Sequence, residues 1–190
     1  MDQPRPKAVI MDAQAMERAL TRIAHEVVER NEGADDLAVV GIIRRGETLA
    51  NRLVDEIEKI VGTRPQIGSL DISFYRDDVM RTISPVLHGS NIPFDIDDTR
   101  IVLVDDVLYT GRTVRSALDA LMDYGRPKCV QLAVMVDRGH RELPIRADYV
   151  GKNVPSSHEE DVRVCIRPLD DHDAVEIWDI EAEKNAGGAN

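Results

Sequence analysis

Arg100-Ile101-Val102-Leu103-Val104-Asp105-Asp106-Val107-Leu108-Tyr109-Thr110-Gly111-Arg112-Thr113 is the stretch that decides the fold. Arg100 to Val104 is an apolar run of the kind buried on both faces of a parallel sheet. Asp105 and Asp106 stand at its carboxyl end, and Val107 to Thr113 reads as a turn. A helix is predicted from about Thr113 to Tyr124, stopped by Gly125-Arg126-Pro127. Strand, acidic end, turn and helix in succession are half of a βαβ unit.

The same alternation continues on both sides. Upstream, Met16, Leu20, Ile23, Ala24, Val27 and Val28 recur at helical spacing from about Asp12 to Asn31, with Asp12 as cap and Asn31-Glu32-Gly33 as stop. Leu37 to Ile43 is a second buried strand, and Gly46 leads into a helix over about Glu47 to Val61. Gln66 to Phe74 reads as a third strand with Asp71 and Ser73 on one side. Downstream, Cys129 to Val136 is another strand, with Asp137-Arg138-Gly139-His140 leaving its carboxyl end. Asp148 to Gly151, Val162 to Ile166 and Ala174 to Trp178 are expected to form short strands of a smaller sheet. The class is α/β: a mostly parallel central sheet flanked by helices, with a small hood of short strands. One domain is expected over residues 1–180, with its core at about 33–145, a hood from about 146–180 plus the N-terminal segment, and a frayed tail at 181–190.

Composition narrows the class of function. The chain has 190 residues, 43% apolar and 31% charged, values that exclude a disordered chain. No run approaches the ~18 apolar residues of a spanning helix, and no signal-type apolar run follows Met1 to Lys7. Cys129 and Cys165 are too few for a disulfide framework or a cysteine-rich zinc site, so a reduced, cytoplasmic setting is expected. Net charge is −11, which taken whole opposes binding to a polyanion. Residues 156–190 alone hold ten acidic groups against Arg163, Arg167 and Lys184, so the acidity sits at one end. A basic face elsewhere stays open.

In parallel sheets ligands gather beyond the carboxyl ends of the strands. Three polar loops leave there: Arg44-Arg45-Gly46, Asp105 to Thr113, and Asp137 to His140. The turn Tyr109 to Thr113 opens a helix with small and hydroxyl residues, which suits a phosphate at the positive helix end. Two carboxylates beside it would repel that phosphate unless they face hydroxyls, for which ionised carboxylates are acceptors. A ligand with a phosphate at one end and a vicinal diol in the middle satisfies both. Arg44 and Arg45 offer a second anion site. An acid-ended strand before an ordinary helix cap is the bland reading. Neither the P-loop string nor the dinucleotide-binding glycine string is present.

Arg18, Thr21, Arg22 and His25 fall on one stripe of the first helix with no acidic residue among them, and Arg141, Arg146 and Lys152 add a second cationic cluster. On spacing alone they are equally a solvated face.

Val104 to Thr113 resembles the phosphoribosyl-pyrophosphate motif of the type I phosphoribosyltransferases. The tract Asp137 to Asn153, with Ala19 to Glu26, is further similar to the bifunctional pyrimidine-operon regulators that are also uracil phosphoribosyltransferases. The resemblance runs from about Lys7 to Asn153. It implies the type I phosphoribosyltransferase fold and conversion of uracil and phosphoribosyl pyrophosphate to UMP and pyrophosphate. Asp105 and Asp106 would be catalytic and hold the ribose hydroxyls, and Val107, Leu108, Tyr109, Thr110, Gly111, Arg112 and Thr113 would frame the nucleotide phosphate. Arg45 and Arg44 would meet pyrophosphate, though the family often carries Thr at the position of Arg44. Mg²⁺ would be held by the substrate, with no dedicated protein cage. Arg138, Tyr149 and Val150 match the base-binding region, and Phe74 to about Asn91 the lid. Arg18, Thr21, Arg22, His25, Arg141, Arg146 and Lys152 would bind the messenger leader of the pyrimidine operon in response to UMP or UTP. A homodimer or higher homo-oligomer is expected. The alternative is a dedicated uracil salvage enzyme without RNA binding. A hypoxanthine-type enzyme is disfavoured by Asp137, where purine enzymes usually carry lysine.

Overall fold

The computed structural model describes residues 5–75 and 89–181. Five strands form one parallel sheet in the order β3 (Gln66–Leu70), β2 (Leu37–Ile42), β4 (Arg100–Leu108), β5 (Cys129–Asp137), β6 (Tyr149–Asn153). Helices α1 (Ala13–Asn31) and α2 (Arg45–Val61) cover one face and α3 (Arg112–Met122) the other. The alternation of β4 explains the layering: Val102 and Val104 pack with Leu20, Ile23, Leu53 and Ile57, whereas Ile101 and Leu103 pack with Val114, Ala117 and Leu121. No helix among the described residues is long and apolar enough to cross a membrane.

Helix α1 starts where the sequence places it, with the Asp12 carboxylate accepting from the Ala15 N–H at 2.7 Å. Two strands differ from expectation. Ala8–Asp12 forms β1, which has no counterpart in the sequence reading, and pairs antiparallel with β8 (Ala174–Asp179). With β7 (Glu160–Cys165) these make the small sheet, whose Val162, Val164, Val175 and Ile177 join the same core as α1 and α2. The strand expected there at Asp148 to Gly151 belongs instead to the main sheet, as β6. Asp148 explains its placement: its N–H donates to Leu132 O and its carboxylate accepts from Leu132 N, both at 2.8 Å, which fastens the incoming chain to β5.

The third correction concerns β4. Asp105 and Asp106 do not terminate it; pairing with the equally long β5 continues through Asp105↔Val134 to Leu108↔Asp137. The two carboxylates are therefore carried on a strand, not on a loop.

Candidate active site

Strands β2, β3 and β4 deliver their carboxyl halves to one cavity of about 380 Å³. Its walls are Ile42 to Arg45 after β2, Asp71 to Ser73 after β3, Asp105 to Val107 within β4, and Thr113 of α3. Two glycines make this convergence feasible. A Cβ on Gly46 would lie 2.4 Å from Val104 O, and one on Gly41 would lie 2.4 Å from Glu47 Cα. The first turn of α2 thus lies directly on β4, next to Asp105, in a contact that no other residue type permits. The Ile43–Arg44 peptide bond is cis.

Two helices begin at this cavity, and neither is capped by the side chain of its own N-cap residue, although Thr110 Oγ1 accepts the Arg112 N–H at 3.3 Å. The N-cap of α2 is Arg44 and that of α3 is Gly111, each without a side-chain cap hydrogen bond, in contrast to the Asp12 cap of α1. Their positive dipole ends suit an anion in the cavity. Gly111 has φ 92°, a left-handed conformation that favours glycine. Arg45 adds charge. One of its terminal nitrogens donates to the Asp170 carboxylate at 3.0 and 3.2 Å, while its Nε is buried with no hydrogen-bond partner. A buried N–H without an acceptor is costly, so this atom fits an incoming anionic oxygen.

The carboxylates occupy the middle of the cavity. Asp105 is 5% exposed and accepts the Asp106 N–H at 2.9 Å; Asp106 accepts the Val107 N–H at 2.8 Å. Burial, together with the neighbouring charge of Asp106, raises the pKa of Asp105 well above the ordinary aspartate value. Burial also raises that of Asp106, partly offset by the Val107 N–H and the Arg45 charge. The pair is poorly solvated and, among the described residues, forms no ion pair at hydrogen-bonding distance, which suits it to ligand hydroxyls or a ligand-bound cation. With Asp71 nearby, the site offers carboxylate oxygens, the donor chemistry of a hard cation such as Mg²⁺.

Of the residues the sequence singles out, Arg44, Arg45, Asp105, Asp106, Val107 and Thr113 line this cavity together. Leu108 does not: its side chain is 1% exposed in the α3-side core. Tyr109 to Gly111 form the turn before α3, where Thr110 O accepts from the Glu142 and Leu143 N–H groups, and Arg112, the first residue of α3, pairs with Glu142. The base-binding expectation is corrected in its geometry. Tyr149 is 3% exposed, its hydroxyl donates to Gln131 at 2.6 Å, and Arg30 lies over its ring, so it cannot stack on a ligand in this cavity. Arg138 is 6% exposed and donates to Ser156 Oγ and to the carbonyls of Ser157 and Glu160, with its guanidinium 4.2 Å above the Tyr109 ring. It ties the small-sheet side to the turn before α3. The Val150 carbonyl accepts from Arg22 at 2.9 Å. The bulk of the expected lid, residues 76–88, lies outside the described residues.

The cationic residues divide. Arg18, Arg22, His25 and Arg146 are exposed, while Thr21 is half-buried and donates to Glu56 at 2.8 Å. Arg22 also donates to Gly151 O at 2.8 Å, which joins the helix stripe to the edge strand that carries Lys152. Arg141 is turned inward: it donates to Tyr109 O, Gly139 O and Ile145 O and pairs with Asp137, so it organises its own loop. Sequence reasoning missed Asp71, Ser73 and Asp170. Polar residues just past a parallel strand signal the first two; nothing in the sequence links Asp170 to Arg45.

Comparison with known proteins agrees with this geometry. Residues 8–166 match the phosphoribosyl transferase domain. The Bifunctional protein PyrR of Bacillus cereus (strain B4264) is 56% identical over 176 residues, covering 91% of this chain and 98% of that one, and that of Bacillus anthracis (strain CDC 684 / NRRL 3495) matches equally. Among solved structures, a hypoxanthine phosphoribosyltransferase from Staphylococcus aureus superposes with a TM-score of 0.70 at 19% identity, covering 93% of this chain and 95% of that one. The Trypanosoma cruzi hypoxanthine phosphoribosyltransferase in complex with the product IMP gives 0.70 at 13% identity, covering 100% and 99%. At such identities the likeness is one of fold. By its matched domain and its relatives, the chain belongs to the phosphoribosyltransferase family, in the same group as the bifunctional PyrR proteins.

Proposed function

We propose that this protein is an RNA-binding regulator of pyrimidine biosynthetic genes, responsive to uridine nucleotides, and a uracil phosphoribosyltransferase. The observation that carries the enzymatic half is one cavity in which two helix starts flank the buried Asp105 and the half-buried Asp106. Phosphoribosyl pyrophosphate has the matching order of groups: phosphate, vicinal diol, pyrophosphate. The start of α3 at Thr113 receives the 5-phosphate, Asp105 and Asp106 accept from the ribose hydroxyls, and Arg44 and Arg45 meet the pyrophosphate. Substrate oxygens with Asp71, Asp105 and Asp106 would hold Mg²⁺, which would supply neutralisation of the pyrophosphate charge. Uracil N1 attacks ribose C1 as the C1–pyrophosphate bond breaks, the N1 proton leaves to solvent or the departing pyrophosphate, and the positive charge that develops on the sugar is stabilised by the adjacent carboxylates.

The pH dependence follows from the carboxylates. The ionised form accepts the ribose hydroxyls, and burial raises the pKa of both groups. Binding of phosphoribosyl pyrophosphate is therefore lost as pH falls through values above the ordinary ~3.9 of an aspartate. The acidic limb of kcat/KM should have its midpoint above that value. A limb at or below it would remove the ribose assignment.

The regulatory half rests on the joined surface of Arg18, Arg22 and Lys152, with the 56% identity to the bifunctional relatives. RNA binding would combine phosphate neutralisation with contacts to a folded loop. Gel shift with the messenger leader of a pyrimidine operon, with and without UMP, alongside a UMP-formation assay, tests both halves. Retention strengthened by UMP supports the regulator; robust UMP formation without retention leaves a salvage enzyme. Arg22→Glu should weaken RNA binding by roughly tenfold or more, since it reverses a charge facing phosphates, and leave turnover near wild type. Unchanged RNA affinity would exclude the helix stripe.

A further inference from the structure

The end of β7, the turn after it and β8 bring together three side chains to which the proposed reaction gives no role. Cys165 Sγ, His172 and Glu176 offer ligand atoms that all lie within 4.8 Å of one another. The geometry points to a zinc-class cation site formed by Cys165, His172 and Glu176. Ligands at ~2.0–2.3 Å from a tetrahedral zinc ion stand roughly 3.5 Å apart. Cys165 Sγ lies 3.9 Å from one Glu176 oxygen, and His172 Nε2 lies 2.9 Å from the other. With all ligand atoms within 4.8 Å of one another, side-chain adjustments of about 1 Å bring the three to ligating separation.

The surroundings already hold these groups as ligands require. His172 Nδ1 is hydrogen-bonded to the Asp171 carboxylate, which fixes the ring and presents Nε2 toward Glu176. A carboxylate behind the imidazole is the usual support of a metal-bound histidine. Glu176 is 5% exposed, and Trp178 Nε1 donates to its Oε2 at 2.8 Å, so its carboxylate is oriented and largely withdrawn from water. His172 is partly exposed, which gives an ion a way in. One thiolate, one imidazole and one carboxylate form a mixed soft-to-hard set that favours zinc over Mg²⁺ or Ca²⁺ and leaves a fourth position for water. Binding releases the Cys165 thiol proton to solvent as the Zn–S bond forms.

The same turn presents Asp170 to Arg45 and Asp173 to Arg52. A cation there would fasten the segment that holds the anion-binding arginine.

Zinc binding to the full-length, metal-stripped protein, measured by equilibrium dialysis, tests the site. One zinc per chain is expected, retained in Cys129→Ser and weakened at least tenfold in both Cys165→Ser and His172→Gln. Cobalt is the spectroscopic probe: a thiolate charge-transfer band should form in wild type and Cys129→Ser and be absent from Cys165→Ser. Both substituted side chains are at least partly exposed, so the metal-free variants should melt as wild type does. Equal zinc affinity of wild type and Cys165→Ser, or a cobalt band that depends on Cys129, would overturn the proposal.

Discussion

The Asp105→Asn, Asp106→Asn double variant should form UMP at least 10³-fold more slowly than wild type and yet melt at a higher temperature. The first effect follows from the acceptor role. An amide presents an N–H₂ where the ribose hydroxyls need an oxygen, and it cannot stabilise positive charge at C1; removing one such group from a preorganised site costs roughly 10²–10³-fold. The second follows from linkage. Burial raises the folded-state pKa of Asp105 above its unfolded value. Between those two values the folded state binds the extra proton, so stability falls as pH rises through the window, and the penalty is complete once pH exceeds the folded-state value. Asparagine removes that charge, and its Oδ1 can still accept the Asp106 N–H that Asp105 now accepts. A gain of a few degrees is expected, since about 1 kcal/mol shifts the midpoint of a chain this size by roughly 2–4 °C. The gain should shrink as pH approaches 4. Thermal melts at pH 7 and pH 5 beside the UMP assay decide the matter, and a lower midpoint at pH 7 would contradict the burial argument.

Gly46→Ala should lose activity and stability together. The added methyl group would lie 2.4 Å from Val104 O and 3.3 Å from Asp105 Cα, both backbone atoms that no rotamer change can clear. Helix α2 must lift off β4, and overpacking of this kind costs about 1–3 kcal/mol. Arg45 moves with the helix, and a displacement of about 1 Å in a reacting geometry costs on the order of 10²-fold in rate. The paired readouts separate the two residue classes: the aspartates trade stability for chemistry, whereas Gly46 serves both. A Gly46→Ala variant with wild-type turnover would mean that the close approach does not position the anion loop.

The layered core and the heart of the site are legible because periodicity and strand-end chemistry are local. Val102 and Val104 against Ile101 and Leu103, or Met16, Leu20 and Ile23 along α1, declare their faces without knowledge of the partner. Asp105-Asp106 before a glycine turn and a helix is similarly self-contained. What the sequence conceals depends on pairing across distance. The end of β4 is set by the length of β5, not by its own residues, so the aspartates read as a strand end when they lie inside it. Tyr149 and Arg141 are residue types at home on a binding surface, and only Gln131, Arg30, Tyr109 O and Asp137 reveal that both are structural. Asp170 and Asp173 register in the sequence merely as part of an acidic excess. A charge count carries no information about the arginines, some 120 residues upstream, that receive them.

The clamp on Arg45 also sets an order of completion during synthesis. Domains form from the N-terminal side as the chain emerges, and all five strands of the parallel sheet are in hand once Asn153 has left the ribosome. At that point the anion loop and both carboxylates are present, but Asp170 is not, and β1 waits for β8 before it can pair. The last segment made, from Asp170 through β8, therefore closes the molecule at its beginning and fastens Arg45 as well. A nascent chain stalled between residues 153 and 170 should hold the sheet but grip pyrophosphate poorly, so competence arrives only with the finished protein.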